Sequence, residues 1–395
     1  MPDLVRELDG HKPYWPGSPY GGAHANSQSE GDTHNWTVWH GMTNESDLTK
    51  LLTQGPTAEE VAYNGFAEDT GRFISEFGIH ASPVYETLRR SVPADQLFHH
   101  SPSLDHHNKD NPKNKIDLQL VTTTGLPRDL EEFFDSSTIA QAEGLKFGIE
   151  HFRRRMPHCS GTLILQFNDC WPTQRWSVED FYGFQKAGYF YLKRVYAPVL
   201  ASFKAADDGG VELWITNDTQ DPVGDVLHLH HGSVAGESLW QEQIALDVPA
   251  ATSQPVWRAA PQRLQASPGT YLAVRSPDGL IPANRHFFTA IKDLELPRDT
   301  QPAVDIRSAD EHTLQVELTA PAYLFFVHLL VADENTRYDD NYFDLIPGET
   351  HMVTIRNAAR PLTPDMVQVK WRSPLDGAGS APQAAHSSPN HGVAS

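Results

Sequence analysis

The chain has 395 residues, 39% of them hydrophobic and 10% aromatic, and carries a formal net charge of −20. This is an ordinary globular composition, long enough for two or three domains. The acidity excludes a nucleic-acid partner, because a polyanion would be repelled and no basic stripe compensates. No apolar run reaches the length of a membrane span, and Met1–Leu8 does not read as a secretion signal, which makes a cytoplasmic protein the default expectation. Cys159 and Cys170 flank the extended run Gly161–Phe167, where a bridge would fight the strand geometry, so both are expected as free thiols.

Residues 1–203 are aromatic-dense, with Trp15, Trp36, Trp39, Trp171 and Trp176 among them. Four strand–loop units are predicted there: Pro13–Pro19, His34–Gly41, Arg72–Pro83 and Thr162–Pro172. Helices are predicted over Ser82–Arg90, Ser136–Met156 and Val178–Phe203, with Ser136 or Ser137 capping the second and Arg153–Arg155 suiting the negative end of its dipole. Strands alternating with helices imply an α/β unit with a parallel sheet.

Beyond residue 204 the pattern changes to short β-forming runs between Asp, Gly and Pro turns. The first set is Val211–Thr216, Val226–His231, Thr270–Arg275 and Phe287–Ile291. The second is Thr313–Leu318, Tyr323–Val331, Tyr342–Leu345, His351–Arg356 and Val367–Trp371. Two such sets read as two β-sandwiches, joined near Pro297–Pro302. Residues 375–395 are rich in Gly, Ala, Ser, Pro and His and are expected to be a disordered tail.

The chemistry points to Arg72-Phe-Ile-Ser-Glu-Phe-Gly78, which sets the carboxylate of Glu76 directly after a short apolar strand, where Gly78 and Pro83 open a loop. Active sites of β/α barrels sit at that end of the strands. Taken alone, Glu76 is as readily a surface or capping glutamate. The tryptophans at strand ends strengthen the functional reading, because an aromatic face suits the apolar side of a sugar ring, although core packing is the competing role for each. Asn168 and Asp169 end another apolar strand, where polar groups need a partner or a ligand. The pairs His99-His100 and His106-His107, and the set His228, His230 and His231, lack spaced carboxylate or cysteine partners, so no metal site and no cofactor are expected. The Ser101–Lys115 loop reads as a solvated rim. Three glycosylation sequons, beginning at Asn35, Asn44 and Asn217, read as chance matches.

Four segments together resemble the β-mannosidases of glycoside hydrolase family 2. They are Pro13-Tyr-Trp-Pro-Gly-Ser-Pro19, Gly31-Asp-Thr-His-Asn-Trp-Thr-Val-Trp-His-Gly41, Arg72-Phe-Ile-Ser-Glu-Phe-Gly78 and Gly161-Thr-Leu-Ile-Leu-Gln-Phe-Asn-Asp-Cys-Trp-Pro172, in the family's order. Trp176-Ser177, Lys186 and Asp340–Glu349 continue the match. The resemblance implies a partial (β/α)8 TIM barrel, strands five to eight, over 1–203, then two immunoglobulin-like β-sandwich domains over 204–298 and 299–374, a multidomain α/β plus all-β architecture. It implies a retaining exo-β-mannosidase acting on terminal β-D-mannose of oligosaccharides, in which the carboxylate in the Ser-Glu-Phe-Gly motif, here Glu76, is the nucleophile. Trp39, Asn168, Asp169, Trp171 and Trp176 are the implied sugar contacts. A nucleophile must stay charged, so donors are expected beside Glu76.

The departures concern the proton donor. In the family that glutamate follows an asparagine upstream of the segment matching Pro13–Pro19, and no Asn-Glu lies upstream here. Asn44-Glu45 falls in a polar insertion and is a poor substitute. His80 stands where relatives often carry glutamine. Loss of general-acid help costs about 10²–10⁴-fold, so this stretch alone is expected to be a nearly inactive fragment, its missing half belonging to a longer product or to a second chain. An endo-β-mannosidase or exo-β-glucosaminidase of the same family, or a non-catalytic truncated carbohydrate-binding protein, are the alternatives.

Overall fold

The computed structural model describes residues 1–41 and 55–372. Asn44-Glu45 and the tail from 375 lie outside the described residues. The first region is built on a three-stranded parallel sheet of β1 (Thr33–Asn35), β2 (Ile74–Phe77) and β3 (Thr162–Ile164), in that spatial order. Parallel neighbours need long crossovers, and the second crossover carries the helix Leu130–Arg154. Leu145, Ile149 and Phe152 of that helix bury against Ile74 and Phe77 of β2. Gly144 permits the approach, because a Cβ there would sit 2.0 Å from Ile79 Cδ1.

Several expected elements shift. Pro13–Pro19 is not a strand: three prolines lack N–H donors and cannot hold a ladder, leaving three parallel strands among the described residues. The long helix begins at Leu130, capped by the Asp129 side chain, which accepts from the Glu132 amide. Ser136 and Ser137 are buried inside it rather than capping it, while Arg153 and Arg154 do lie in its last turn. The helix expected over Val178–Phe203 is only Ala187–Val195. Pro198 ends it, and the chain turns into β4 (Val199–Ala205).

Two sandwiches follow. The first pairs a sheet of β4, β5 (Val211–Asn217) and β8 (Thr252–Ala259) with a sheet ordered β10 (Asn284–Phe287), β9 (Thr270–Arg275), β6 (Val223–Ser233) and β7 (Ser238–Val248). Alternating side chains such as Leu213 and Ile215, Leu227 and Leu229, Leu272 and Val274 fill its core. In the second, β11 (Ala303–Asp310), β12 (Thr313–Thr319), β16 (Thr350–Asn357) and β14 (Thr336–Tyr338) face β15 (Phe343–Leu345), β13 (Leu324–Leu330) and β17 (Gln368–Arg372). Leu314, Val316, Leu318, Val327, Leu329, Val353 and Ile355 form that core. A third aromatic cluster, including Phe190, Tyr191, Tyr271, Phe325 and Tyr342, packs the two helices of the α/β region against both sandwiches. No described helix is long and apolar enough to cross a membrane. Cys159 and Cys170 are free, the first buried and the second exposed.

Candidate active site

Strand β2 orients the site. Ile74 and Phe77 point into the hydrophobic core, while Ser75 and Glu76 between them are only half-buried. Glu76 stands opposite His34 of β1 in the parallel register. Its Oε1 accepts a hydrogen bond from Trp36 Nε1 at 2.7 Å, and its Oε2 lies 3.6 Å from His34 Nδ1. Among the described residues no lysine or arginine pairs with it. The Trp36 indole N–H thus holds the carboxylate in place, with the His34 ring beside it.

The neighbouring turn is braced separately. Asp32 Oδ2 accepts from Ser18 Oγ at 2.6 Å and from Ser75 Oγ, and Oδ1 accepts from the Tyr20 amide at 2.7 Å. Burial pushes the Asp32 carboxyl up, but those donors outweigh it and hold it below its ordinary value. Ser18 also contacts His34 Nε2 at 3.0 Å. The Pro13–Pro19 segment therefore serves the site through one serine, fixing the imidazole that faces Glu76.

Aromatic rings flank the glutamate. Trp36 and Trp176 meet edge to face at 5.3 Å, and Trp176 also contacts His80 at 5.4 Å and Trp39 at 6.3 Å. Gly78 lies beneath: a Cβ on it would come within 2.3 Å of the Leu165 carbonyl oxygen and 3.2 Å of both Trp36 and Trp176. Behind them Trp39 Nε1 donates to Asp110 Oδ2 at 2.5 Å, and Lys115 Nζ bridges Asp110 Oδ2 at 3.2 Å and His40 Nδ1 at 2.9 Å. Burial drives His80 down to about 3, against the pull of Asp110. Burial and then Lys115 bring His40 to about 4. Both imidazoles are neutral near pH 7.

The sequence candidates separate into groups. Trp176 packs edge to face on Trp36, whose indole donates to Glu76. Trp39, expected to touch sugar, is 1% exposed and packs in the core, because the short Thr37–His40 helix turns it inward against Leu88 and Ile116. Asp169 is likewise buried, accepting from Ser177 Oγ and, at 3.1 Å, from Gln166 Nε2. Burial raises its carboxyl, opposed by the fully buried Lys186, which burial itself lowers to about 8. Asn168 is exposed. Trp171 belongs to another patch, stacked on His107 at 4.8 Å with Lys109 Nζ 4.5 Å from its ring centroid. Sequence reasoning missed Trp36 and His34 as the direct partners of Glu76, although both stand in the stretch that pairs with β2. It also missed the Asp110–Lys115–His40 support, for which no local pattern exists.

Comparison with known proteins agrees with this architecture. Residues 209–293 match a mannosidase Ig/CBM-like domain and residues 299–372 an Ig-fold domain of mannosidases. The chain is 30% identical over 389 residues to a β-mannosidase B of Neosartorya fischeri, covering 90% of this chain and 43% of that protein. A second relative, β-mannosidase B of Aspergillus niger, is 28% identical over 388 residues, again 90% and 43%. The solved β-D-mannosidase of Dictyoglomus thermophilum superposes with a TM-score of 0.81 at 27% identity, over 95% of this chain and 44% of that one. The exo-chitosanase CsxA of Amycolatopsis orientalis shares the fold, with a TM-score of 0.59 at 16% identity over 79% of this chain and 44% of that one. The chain thus spans less than half the length of the relatives it matches. It is a homologue of the β-mannosidases of glycoside hydrolase family 2, matching them over that part of their length.

Proposed function

We propose that this chain carries the nucleophile side of a retaining exo-β-mannosidase that removes terminal β-D-mannose from oligosaccharides. Residues 1–203 are then the second half of a (β/α)8 barrel, its sheet completed by strands from the part of the longer relatives that this chain does not match. The observation that carries the reading is Glu76 near the end of a parallel strand, hydrogen-bonded by Trp36, beside His34, with no lysine or arginine paired to it among the described residues and with Trp176 packed on Trp36. Such a carboxylate can attack an anomeric carbon: a C–O bond forms at Glu76, the glycosidic bond breaks, and water later releases mannose with its configuration retained. Trp176 offers the sugar its ring, while Trp171 with His107 and Lys109 offers a second platform. Trp39 and Asp169 act by positioning, behind the surface. The leaving oxygen receives its proton from a second carboxyl group about 5–5.5 Å from Glu76, which we assign to the unmatched part of the longer protein, in the same chain or in a second one.

The test is covalent trapping. A 2-deoxy-2-fluoro-β-mannosyl fluoride incubated with the full-length protein should label the peptide containing Glu76, and the first product from an aryl β-mannoside should be the β-anomer by NMR. Glu76→Ala should abolish both. Labelling at another residue, or an α-anomer as first product, removes Glu76 from the proposed role. Residues 1–395 alone should fall about 10²–10⁴-fold short of the full-length rate if the proton donor lies outside them.

A further inference from the structure

Outside the Glu76 site, the loop after the short helical turn Ala94–Gln96 brings two histidines onto the helix Lys115–Thr123. His99 Nε2 lies 2.8 Å from Asp117 Oδ1, and His100 Nε2 lies 2.7 Å from Asp117 Oδ2. The potential ligand atoms of the three residues all fall within 4.8 Å of one another. The two imidazoles face each other at 4.0 Å, and the His99 ring is also 4.0 Å from the Phe133 ring. His100 adopts φ 59, a left-handed backbone that histidine enters only against a steric penalty. The backbone is strained at the residue whose ring reaches both Asp105 and Asp117.

Two carboxylates flank the His100 ring. Its Nδ1 lies 3.2 Å from Asp105 Oδ1. A neutral imidazole has one N–H. Donated to Asp105, it leaves the Nε2 lone pair aimed at a carboxylate oxygen 2.7 Å away. Two lone pairs do not sit at that distance unless a positive species lies between them. An imidazole whose other nitrogen is held by a carboxylate is also the arrangement that orients histidine toward a metal.

We propose that His99, His100 and Asp117 bind a divalent transition cation of the zinc class, with Asp105 as the positioning residue for His100. Two imidazole nitrogens and a carboxylate oxygen are a ligand set this class favours, and three protein ligands leave a position for water. Ligand bonds of about 2.0–2.1 Å at tetrahedral angles separate ligand atoms by roughly 3.3 Å, so each His–Asp117 contact need open only by about half an ångström. The ion would pin the 98–101 loop to the start of the helix that carries Lys115. That lysine supports Asp110 and Trp39 behind the aromatic wall, so the clamp would secure the scaffold of the Glu76 site without touching substrate. The competing occupant of the same gap is a proton: Asp117 as hydrogen-bond partner, outweighing partial burial, raises the His100 imidazole to about 9, which would make the cluster an imidazolium clamp.

Calorimetric titration of EDTA-treated protein with Zn2+, and the visible spectrum of its Co2+ adduct, distinguish the two. The expected result is one Zn2+ per chain with micromolar or tighter Kd, a Tm that rises with Zn2+, and Co2+ bands typical of low coordination number. His100→Asn, which keeps a residue tolerant of left-handed backbone, should remove the site while the circular dichroism spectrum stays intact. Asp105→Asn should weaken binding by about 10–100-fold, and His228→Gln should leave it unchanged. Zn2+ affinity that survives both His99→Gln and His100→Asn overturns the proposal. So does an absence of binding, with the His100 imidazole titrating near pH 9 by NMR.

Discussion

Glu76 and Glu143 belong to elements packed against each other in the same α/β core, yet the protein holds them in opposite ways. Glu143, on the helix Leu130–Arg154, is met by both terminal nitrogens of Arg285, one of them at 3.1 Å from its Oε2, and its Oε1 also accepts from Tyr191 at 3.0 Å. Arg285 Nε reaches on to Asp344 Oδ2 at 2.9 Å, and Asp344 Oδ1 accepts the Phe326 amide at 3.0 Å. One guanidinium on β10 thus joins the α/β region to the second sandwich. Glu76 has an indole and an imidazole instead. A carboxylate matched by a guanidinium is fixed as structure, whereas one held by an indole N–H with no lysine or arginine beside it keeps its charge available to react.

The contrast predicts opposite phenotypes. Arg285→Met strands the buried Glu143 and the half-buried Asp344 and should cost about 3–5 kcal/mol of stability by urea denaturation, because breaking a buried pair leaves its partner uncompensated. Glu76→Gln keeps an acceptor for Trp36 and should change stability by no more than about 1 kcal/mol, while removing turnover of an aryl β-mannoside in the full-length protein. If Glu76→Gln proves as destabilising as Arg285→Met, Glu76 is another structural carboxylate and the contrast fails.

A sharper form of the comparison concerns the donor itself. Trp36→Phe keeps a ring against Trp176 but deletes the hydrogen bond to Glu76 Oε1. A hydrogen bond to a charged group is worth about 1.5–3 kcal/mol, so kcat/KM should drop roughly 10–100-fold with the fold unchanged. Wild-type turnover in Trp36→Phe would reduce Trp36 to packing. No such single substitution is available for Glu143, whose charge is met several times over.

What could be seen in the sequence follows from how each segment is buried. Strands with one buried face, such as β5 with Leu213 and Ile215 or β12 with Leu314, Val316 and Leu318, announce themselves by alternation. β11 is exposed along nearly its whole length and β8 contains Pro255, so neither shows that signal. Both are edge strands, where neither feature is penalised. The place of Glu76 near a strand end was legible because a strand, a carboxylate and a glycine are contiguous. Trp39 and Trp176 look alike in sequence, and only the fold decides that the first is sealed in the core. The carboxylates facing His99 and His100 come from two later helices, Pro102–His107 and Lys115–Thr123, so no local spacing announces them.

The smallest expected effect tests the wall behind the site. His80 is buried between Trp39 and Trp176, its Nε2 has no hydrogen-bond partner, and burial drives its imidazole to about 3. An unfolded histidine takes up its proton near pH 6.5. Between about 6.5 and 3 the unfolded chain therefore binds a proton that the native state refuses, and stability falls as pH falls. At pH 5 the loss is about 2 kcal/mol. His80→Gln has no proton to exclude and should remove about that amount from the acid limb, leaving the comparable dependence of the other depressed histidines, His40, His231 and His286, each held near 4. Urea midpoints for both proteins at pH 7 and pH 5 measure the difference. Parallel loss in the two would mean that His80 accepts its proton in the folded state, and that the wall behind Glu76 admits charge as readily as water does.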